Sequence, residues 1–324
     1  MAVKPMDSML SQLGLYGIIP VLVLNDPRDG PLVAEALSGG GLPCVEVTFR
    51  SAAAAEAIVA ITGRYPAMTV GAGTILTTDQ ARAAIGAGAR FLVAPGVNRK
   101  VLEFCLAQRV TVLPGVATPS DIEICLEYGL EAVKFFPAEA QGGVEYLKAI
   151  SAPYGRLCYV PTGGIAPANL LSYLTLPHVL ACGGSWMVRP ELVVARRFDE
   201  IRRLAEEAIR LMLGLELRHI TVNGKSEQEA QKNAERLASL LALPVRNDIE
   251  SLWVGTHFEI TRPKFPGTHG GLAIGTHFPL RARAYLERRG FGFRPETAVE
   301  KDGELLAIFL QEEIGGFAVQ LVQR

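Results

Sequence analysis

The hydrophobic pattern of this 324-residue chain changes character about two thirds of the way along. From residue 17 onward short β-branched runs recur: GIIPVLVL, CVEVTF, AMTVGAG, FLVAP, VTVLPG, AVKFF, LCYVPTGG and VLACGG. Each is apolar almost throughout, which marks a parallel strand covered on both faces. Alanine-rich segments of helical period alternate with them, such as PLVAEALSGG, AAAAEAIVAITGRY and DQARAAIGAGA. Eight such strand–helix units predict a closed (β/α)8 barrel, with an open doubly wound sheet as the alternative. The segment PELVVARRFDEIRRLAEEAIRLML reads as the eighth outer helix.

Beyond Gly214 the strands alternate apolar and polar positions instead. ELRHITVNG reads as a strand, SEQEAQKNAERLASLLA as a helix, and SLWVG and HFEITRP as strands. The order then repeats with GGLAIGT, the helix PLRARAYLERRG, and strands near FGFRP, LLAIFLQ and GFAVQLV. Two βαβββ modules in tandem account for this. The predicted architecture is therefore α/β, a (β/α)8 barrel over residues 1–213 and a smaller α+β domain over residues 214–324. The length is also more than one core usually supports.

Bulk properties narrow the function classes. A formal net charge of −1 with no basic block leaves no electrostatic footprint for nucleic acid or an anionic membrane. No apolar run approaches the roughly 20 residues that span a bilayer. The N-terminus, MAVKPMDSMLSQLG, lacks an apolar signal core and cleavage site, so a cytoplasmic protein is expected. The five cysteines are odd in number, isolated and set in apolar stretches, as buried small hydrophobes in a reducing compartment.

In a barrel the active site gathers at the C-terminal strand ends. Those ends hold Glu46, Thr48 and Arg50, then Thr74, Pro95 and Lys134, then Thr162, Gly163 and Gly164, and finally Gly184 and Ser185. Lys134 is the arresting member. Lysine is among the residues least often buried, yet here it ends an apolar run and precedes Phe135, Phe136 and Pro137. An ordinary lysine would keep its head in solvent. A lysine desolvated by an apolar collar such as Phe135, Phe136 and Pro137 loses its proton from a reference pKa of about 10.4 and becomes a nucleophile toward a ketone. Glu46 is the available general acid/base. Arg50 can grip a substrate carboxylate with its planar fork, with Thr74 as a second donor. The glycines at 163, 164 and 184, a helix starting at APANLL and the Ser185 hydroxyl would make a phosphate cradle.

Residues from about 10 to 213 closely resemble the class I 2-keto-3-deoxy-6-phosphogluconate / 4-hydroxy-2-oxoglutarate aldolases. The carriers are VEVTFR, VGAGT, APG, LPGVATPSD, VKFFPAEAQGGV, PTGGIAPAN and GGSW, in order along the barrel. The resemblance implies Lys134 as the Schiff-base lysine, Glu46 as the general acid/base, and Arg50 and Thr74 at the pyruvate end. Pro95 and Phe136 would line the substrate site, and Thr162, Gly163, Gly164, Gly184 and Ser185 would receive the phosphate. It also implies a phosphorylated 2-keto acid as substrate, no cofactor, and a homo-oligomer, specifically a trimer. Two other functions fit the barrel: cleavage of the galactonate-derived epimer, and a non-catalytic phosphate-binding barrel whose appended domain senses a ligand.

The second domain resembles the vicinal oxygen chelate group, which includes glyoxalase I, through its paired modules and the segments HITVNG and GGLAIGT. The resemblance places that group's metal ligands at His219, Glu259, Gly271 and Gln320. Glycine offers no side chain and glutamine is a poor ligand, whereas such ions want three or four good donors. His257, His269 and His277 stand in ordinary turn contexts. No metal is expected.

Overall fold

The computed structural model describes residues 7–262 and 265–324. The first six residues, part of the stretch read as free of a signal core, and Pro263, which ends HFEITRP, lie outside the described residues. The chain divides into two compact units, Met1–Met212 and Leu213–Arg324.

The first unit is a (β/α)8 barrel. Its strands are β1 (Ile18–Leu22), β2 (Cys44–Thr48), β3 (Thr69–Gly73), β4 (Phe91–Val93), β5 (Thr111–Leu113 and, past Pro114, Gly115–Val116), β6 (Ala132–Phe135), β7 (Cys158–Pro161) and β8 (Cys182–Gly184). All neighbours pair in parallel: Val21 lies opposite Glu46, Glu46 opposite Gly71, Gly71 opposite Phe91, and Val93 opposite Leu113. Gly115 lies opposite Lys134, and Lys134 opposite Val160. β7 reaches β8 through the Tyr159–Val179 and Thr162–Gly183 bridges, and Ile18 opposite Cys182 closes the ring. Pro114 interrupts β5 because it has no amide hydrogen to give the ladder. Its carbonyl still accepts from the Lys134 N–H at 2.9 Å.

The strands' N-terminal end is plugged by the helix Ser8–Tyr16. Asp7 caps it by accepting from the Met9 N–H at 2.7 Å. Met9, Leu10, Leu13 and Tyr16 pack on Ile19, Phe91, Val93, Leu113 and Val160. The Tyr16 hydroxyl finds Thr69 Oγ1 at 3.1 Å, so the buried ring leaves no orphan polar group. With that end filled, the opposite end is left for chemistry.

Two expectations are corrected in this unit. The eighth outer segment is two helices, Pro190–Val194 and Phe198–Leu213, separated where Arg196 adopts φ 54°. The Arg196 and Arg197 N–H groups close the first helix onto Val193 and Leu192 carbonyls, which ends it. The helix expected from APANLL is only Leu170–Leu174, because Asn169 folds the preceding residues into a turn by accepting from the Ala166 N–H. Four of the cysteines, Cys44, Cys105, Cys125 and Cys182, are buried free thiols. Burial pushes the Cys105 thiol up to about 11 and Cys125 to about 12, which makes them poor nucleophiles.

The second unit is an eight-stranded sheet carrying two helices, Glu227–Leu241 and Pro279–Glu287. Its strands are β9 (Glu216–Asn223), β10 (Val245–Asn247), β11 (Ser251–Val254), β12 (Phe258–Thr261), β13 (Gly270–Thr276), β14 (Val299–Lys301), β15 (Glu304–Phe309) and β16 (Phe317–Gln323). The order is β10-β11-β12-β9-β13-β16-β15-β14. Each βαβββ module pairs its first and last strands in parallel, Thr221 opposite Glu259 and Gly271 opposite Ala318. The modules join through antiparallel β9 and β13. Ala230 and Ala234 of the first helix pack on Leu252, Val254 and Ile260.

The strand expected near FGFRP is not one. Phe293 makes a single bridge to Leu310, and Pro295 then opens the 3-10 turn Pro295–Thr297. The pairing strand comes later, at β14. β10 and β14 are the two edges, exposed along their whole length, so neither shows the alternation that identifies a half-buried strand.

Candidate active site

Lys134 stands near the end of β6 and is 6% exposed; Glu46, on β2, is 3% exposed. Both enter the barrel interior, where Lys134 Nζ lies 3.7 Å from Glu46 Oε1. That is too long for a hydrogen bond, and Glu46 Oε1 has no hydrogen-bond partner among the described residues. Two side chains that are rarely buried, from strands four apart, are thus held close but not locked together.

Room for the carboxylate comes from Gly73 on β3, where a β-carbon would sit 2.0 Å from Glu46 Oε1. Sequence reading missed this residue, although VGAGT displays it. Phe136 covers the amine, with Lys134 Nζ 5.0 Å from the ring centroid. Phe135 does not belong to the collar. Successive strand residues face opposite sides, so Phe135 points away from the interior and stacks on Tyr146 at 6.0 Å.

Arg50, exposed just past β2, donates from Nε to Thr74 Oγ1 at 3.3 Å. Thr74 adopts φ 57°, an unusual conformation for a β-branched residue that costs about 1–3 kcal/mol. That backbone aims its hydroxyl toward the arginine. Thr48 instead spends its hydroxyl on the Leu22 carbonyl at 3.0 Å and is structural. Pro95 is half-buried beyond β4; its carbonyl would meet a β-carbon at Gly115 at 2.1 Å.

The loop after β7 is shaped by Gly163 at φ +99° and Gly164 at φ +84°. Its carbonyls are taken: Thr162 O by the Ala138 N–H at 2.8 Å, Gly163 O by the Glu139 N–H at 3.1 Å, and Gly164 O by Asn169 Nδ2 at 3.1 Å. The Gly163 and Gly164 N–H groups have no acceptor among the described residues, as an anion-binding loop requires. Thr162 is buried beside Gly183, while Gly184 ends β8 and Ser185 is exposed immediately beyond. The helix that follows, Leu170–Leu174, is too short to add a helix-terminus field to this loop.

In the second unit, His219 Nε2 lies 3.6 Å from Glu259 Oε2, and the His219 ring meets Trp253 edge-on at 4.8 Å. The His219 contact, together with Thr221 donating at 3.1 Å, holds Glu259 below the usual carboxylate range. The other two resemblance-derived positions do not extend this pair. A β-carbon at Gly271 would lie 2.4 Å from the Phe265 ring, and Gln320 pairs with Ala273. Among the described residues no three His, Cys, Asp or Glu side chains converge on a metal position.

A barrel that holds a buried lysine 3.7 Å from a buried carboxylate has the side chains that an amine-dependent pyruvate aldolase, an aldehyde-lyase, requires. The comparisons agree. Residues 9–204 match the model of the KDPG and KHG aldolase family, and the chain belongs to that family. It is 45% identical over 207 residues to the 2-dehydro-3-deoxy-phosphogluconate aldolase of Treponema pallidum, covering 64% of this chain and 99% of that one. It is 41% identical over 192 residues to the KHG/KDPG aldolase of Escherichia coli K12, covering 59% and 90%. Among solved structures, the KDPG aldolase of Legionella pneumophila, with pyruvate captured as a covalent carbinolamine, superposes with a TM-score of 0.60 at 36% identity, covering 61% and 97%. Among the described residues no helix is long and apolar enough to cross a membrane.

Proposed function

We propose that the enzyme cleaves 2-keto-3-deoxy-6-phosphogluconate to pyruvate and glyceraldehyde 3-phosphate, and 4-hydroxy-2-oxoglutarate to pyruvate and glyoxylate, through an iminium on Lys134. The observation that carries this reading is the buried 3.7 Å approach of Lys134 Nζ to Glu46 Oε1. The neutral amine adds to the C2 ketone, and the carbinolamine loses water to give the iminium. Glu46 takes the C4 hydroxyl proton as the C3–C4 bond breaks; the bonding electrons pass into the iminium and leave an enamine. The aldehyde departs. Glu46 returns its proton to C3, and water releases pyruvate and regenerates the amine.

Arg50 and Thr74 hold the carboxylate end, Pro95 and Phe136 flank the reacting carbons, and Thr162, Gly163, Gly164, Gly184 and Ser185 receive the phosphate. The enzyme works in the cytoplasm as a homo-oligomer, a trimer on the pattern the sequence resemblance implies, with residues 214–324 as an accessory domain that needs no metal. Pyruvate release from both substrates by Lys134→Arg tests the reading. Arginine keeps the charge but cannot form the iminium, so release should vanish; activity within about tenfold of wild type, roughly 1.4 kcal/mol of barrier, would place the nucleophile elsewhere.

A further inference from the structure

Outside the residues assigned above, one polar pair touches the phosphate cradle. The Tyr173 hydroxyl donates a short hydrogen bond to Glu139 Oε1. Tyr173 lies in the helix Leu170–Leu174 and is fully buried, whereas Glu139 follows β6 and is exposed. The Glu139 stem forms the floor of the cradle loop: a β-carbon on Gly164 would lie 2.5 Å from Glu139 Cγ and 2.7 Å from its Cβ. Its N–H also holds the Gly163 carbonyl at 3.1 Å. Gly143, at φ +65°, makes room for the pair, since a β-carbon there would meet Glu139 Oε1 at 3.3 Å and the Tyr173 hydroxyl at 3.4 Å.

A carboxylate rooted against an anion-binding loop works against that loop unless it is turned away. Like charges at short range in a partly dry site disfavour each other strongly. We propose that the Tyr173–Glu139 hydrogen bond is a positioning device for the phosphate end of the substrate, holding the Glu139 carboxylate clear of the Gly163–Gly164 N–H groups. Neither residue touches the reacting carbons. The proposal rests on the reading of that loop as the phosphate site, and it concerns only substrates or inhibitors that carry a phosphate.

The test compares wild type, Tyr173→Phe, and Tyr173→Phe combined with Glu139→Gln, in the full chain. Each is assayed on 2-keto-3-deoxy-6-phosphogluconate and on 4-hydroxy-2-oxoglutarate, with inorganic phosphate as competitive inhibitor. Tyr173→Phe keeps the buried ring and frees the carboxylate. It should raise KM for the phosphorylated substrate and Ki for phosphate by about three- to tenfold, with kcat and the constants for 4-hydroxy-2-oxoglutarate unchanged. The double variant, having no charge to exclude, should recover most of the loss. A purely structural role would leave the double variant no better than the single one, or would raise KM for both substrates alike, and either result overturns the proposal. So does a Tyr173→Phe enzyme with wild-type constants. If phosphate fails to compete even in wild type, the cradle reading itself falls and this proposal with it; if it competes in wild type and equally in Tyr173→Phe, only the positioning role falls.

Discussion

Gly73 stands directly against Glu46: a β-carbon at position 73 would lie 2.0 Å from the carboxylate oxygen Oε1. The carboxylate proposed as the acid/base is therefore given its room by the absence of a side chain on a neighbouring strand. Gly73→Ala should displace the Glu46 carboxylate and lower kcat by about 10²-fold or more, within the range of general acid/base catalysis. Far-ultraviolet circular dichroism should stay as in wild type. Wild-type kcat in a folded Gly73→Ala enzyme would mean that the position of Glu46 does not limit turnover.

Glu46 and Arg50 should separate kinetically. Glu46→Gln removes the proton carrier and should reduce kcat by about 10²–10⁴ with little change in pyruvate affinity. Arg50→Ala removes the donor paired with Thr74 Oγ1 at 3.3 Å and should chiefly raise KM. Equal effects on both constants in both variants would show the roles to be misassigned.

The barrel plug carries stability and not chemistry. Leu13 is fully buried in the helix Ser8–Tyr16, so Leu13→Ala should cost about 2–5 kcal/mol in chemical denaturation. Below the melting transition kcat should be unaffected, because the plug sits at the end of the strands away from Lys134. A stable Leu13→Ala enzyme with impaired turnover would contradict that separation.

The second unit should purify without stoichiometric metal. His219 and Glu259 supply two donors, and the Phe265 ring stands where a side chain at position 271 would reach. Two donors leave a divalent ion held mostly by water. Metal analysis of protein prepared without chelator should find well under one zinc, nickel or manganese per chain; near-stoichiometric metal that is lost in His219→Ala would overturn the expectation.

The barrel strands were legible because full burial writes them as continuous apolar runs, and Lys134 was legible because it breaks one of those runs. Several features left no such trace. β10 and β14 are edge strands exposed on both faces, so Val245–Asn247 and Val299–Lys301 carry no alternation. The break at Arg196 rests on a left-handed backbone that the apolar period runs straight through. Phe135 was misplaced because adjacency to Lys134 in sequence means the opposite face in a strand. The Tyr173–Glu139 pair joins residues 34 apart and exists only once the barrel is closed.

The central claim is that Lys134 is the amine that bonds substrate carbon. Sodium borohydride added to enzyme with pyruvate, followed by intact-mass and peptide mass spectrometry, tests it most directly. The account predicts one reduced pyruvate adduct per chain, carried on Lys134 and lost in Lys134→Arg. An adduct on another lysine, or an unmodified chain after reduction in saturating pyruvate, would contradict it.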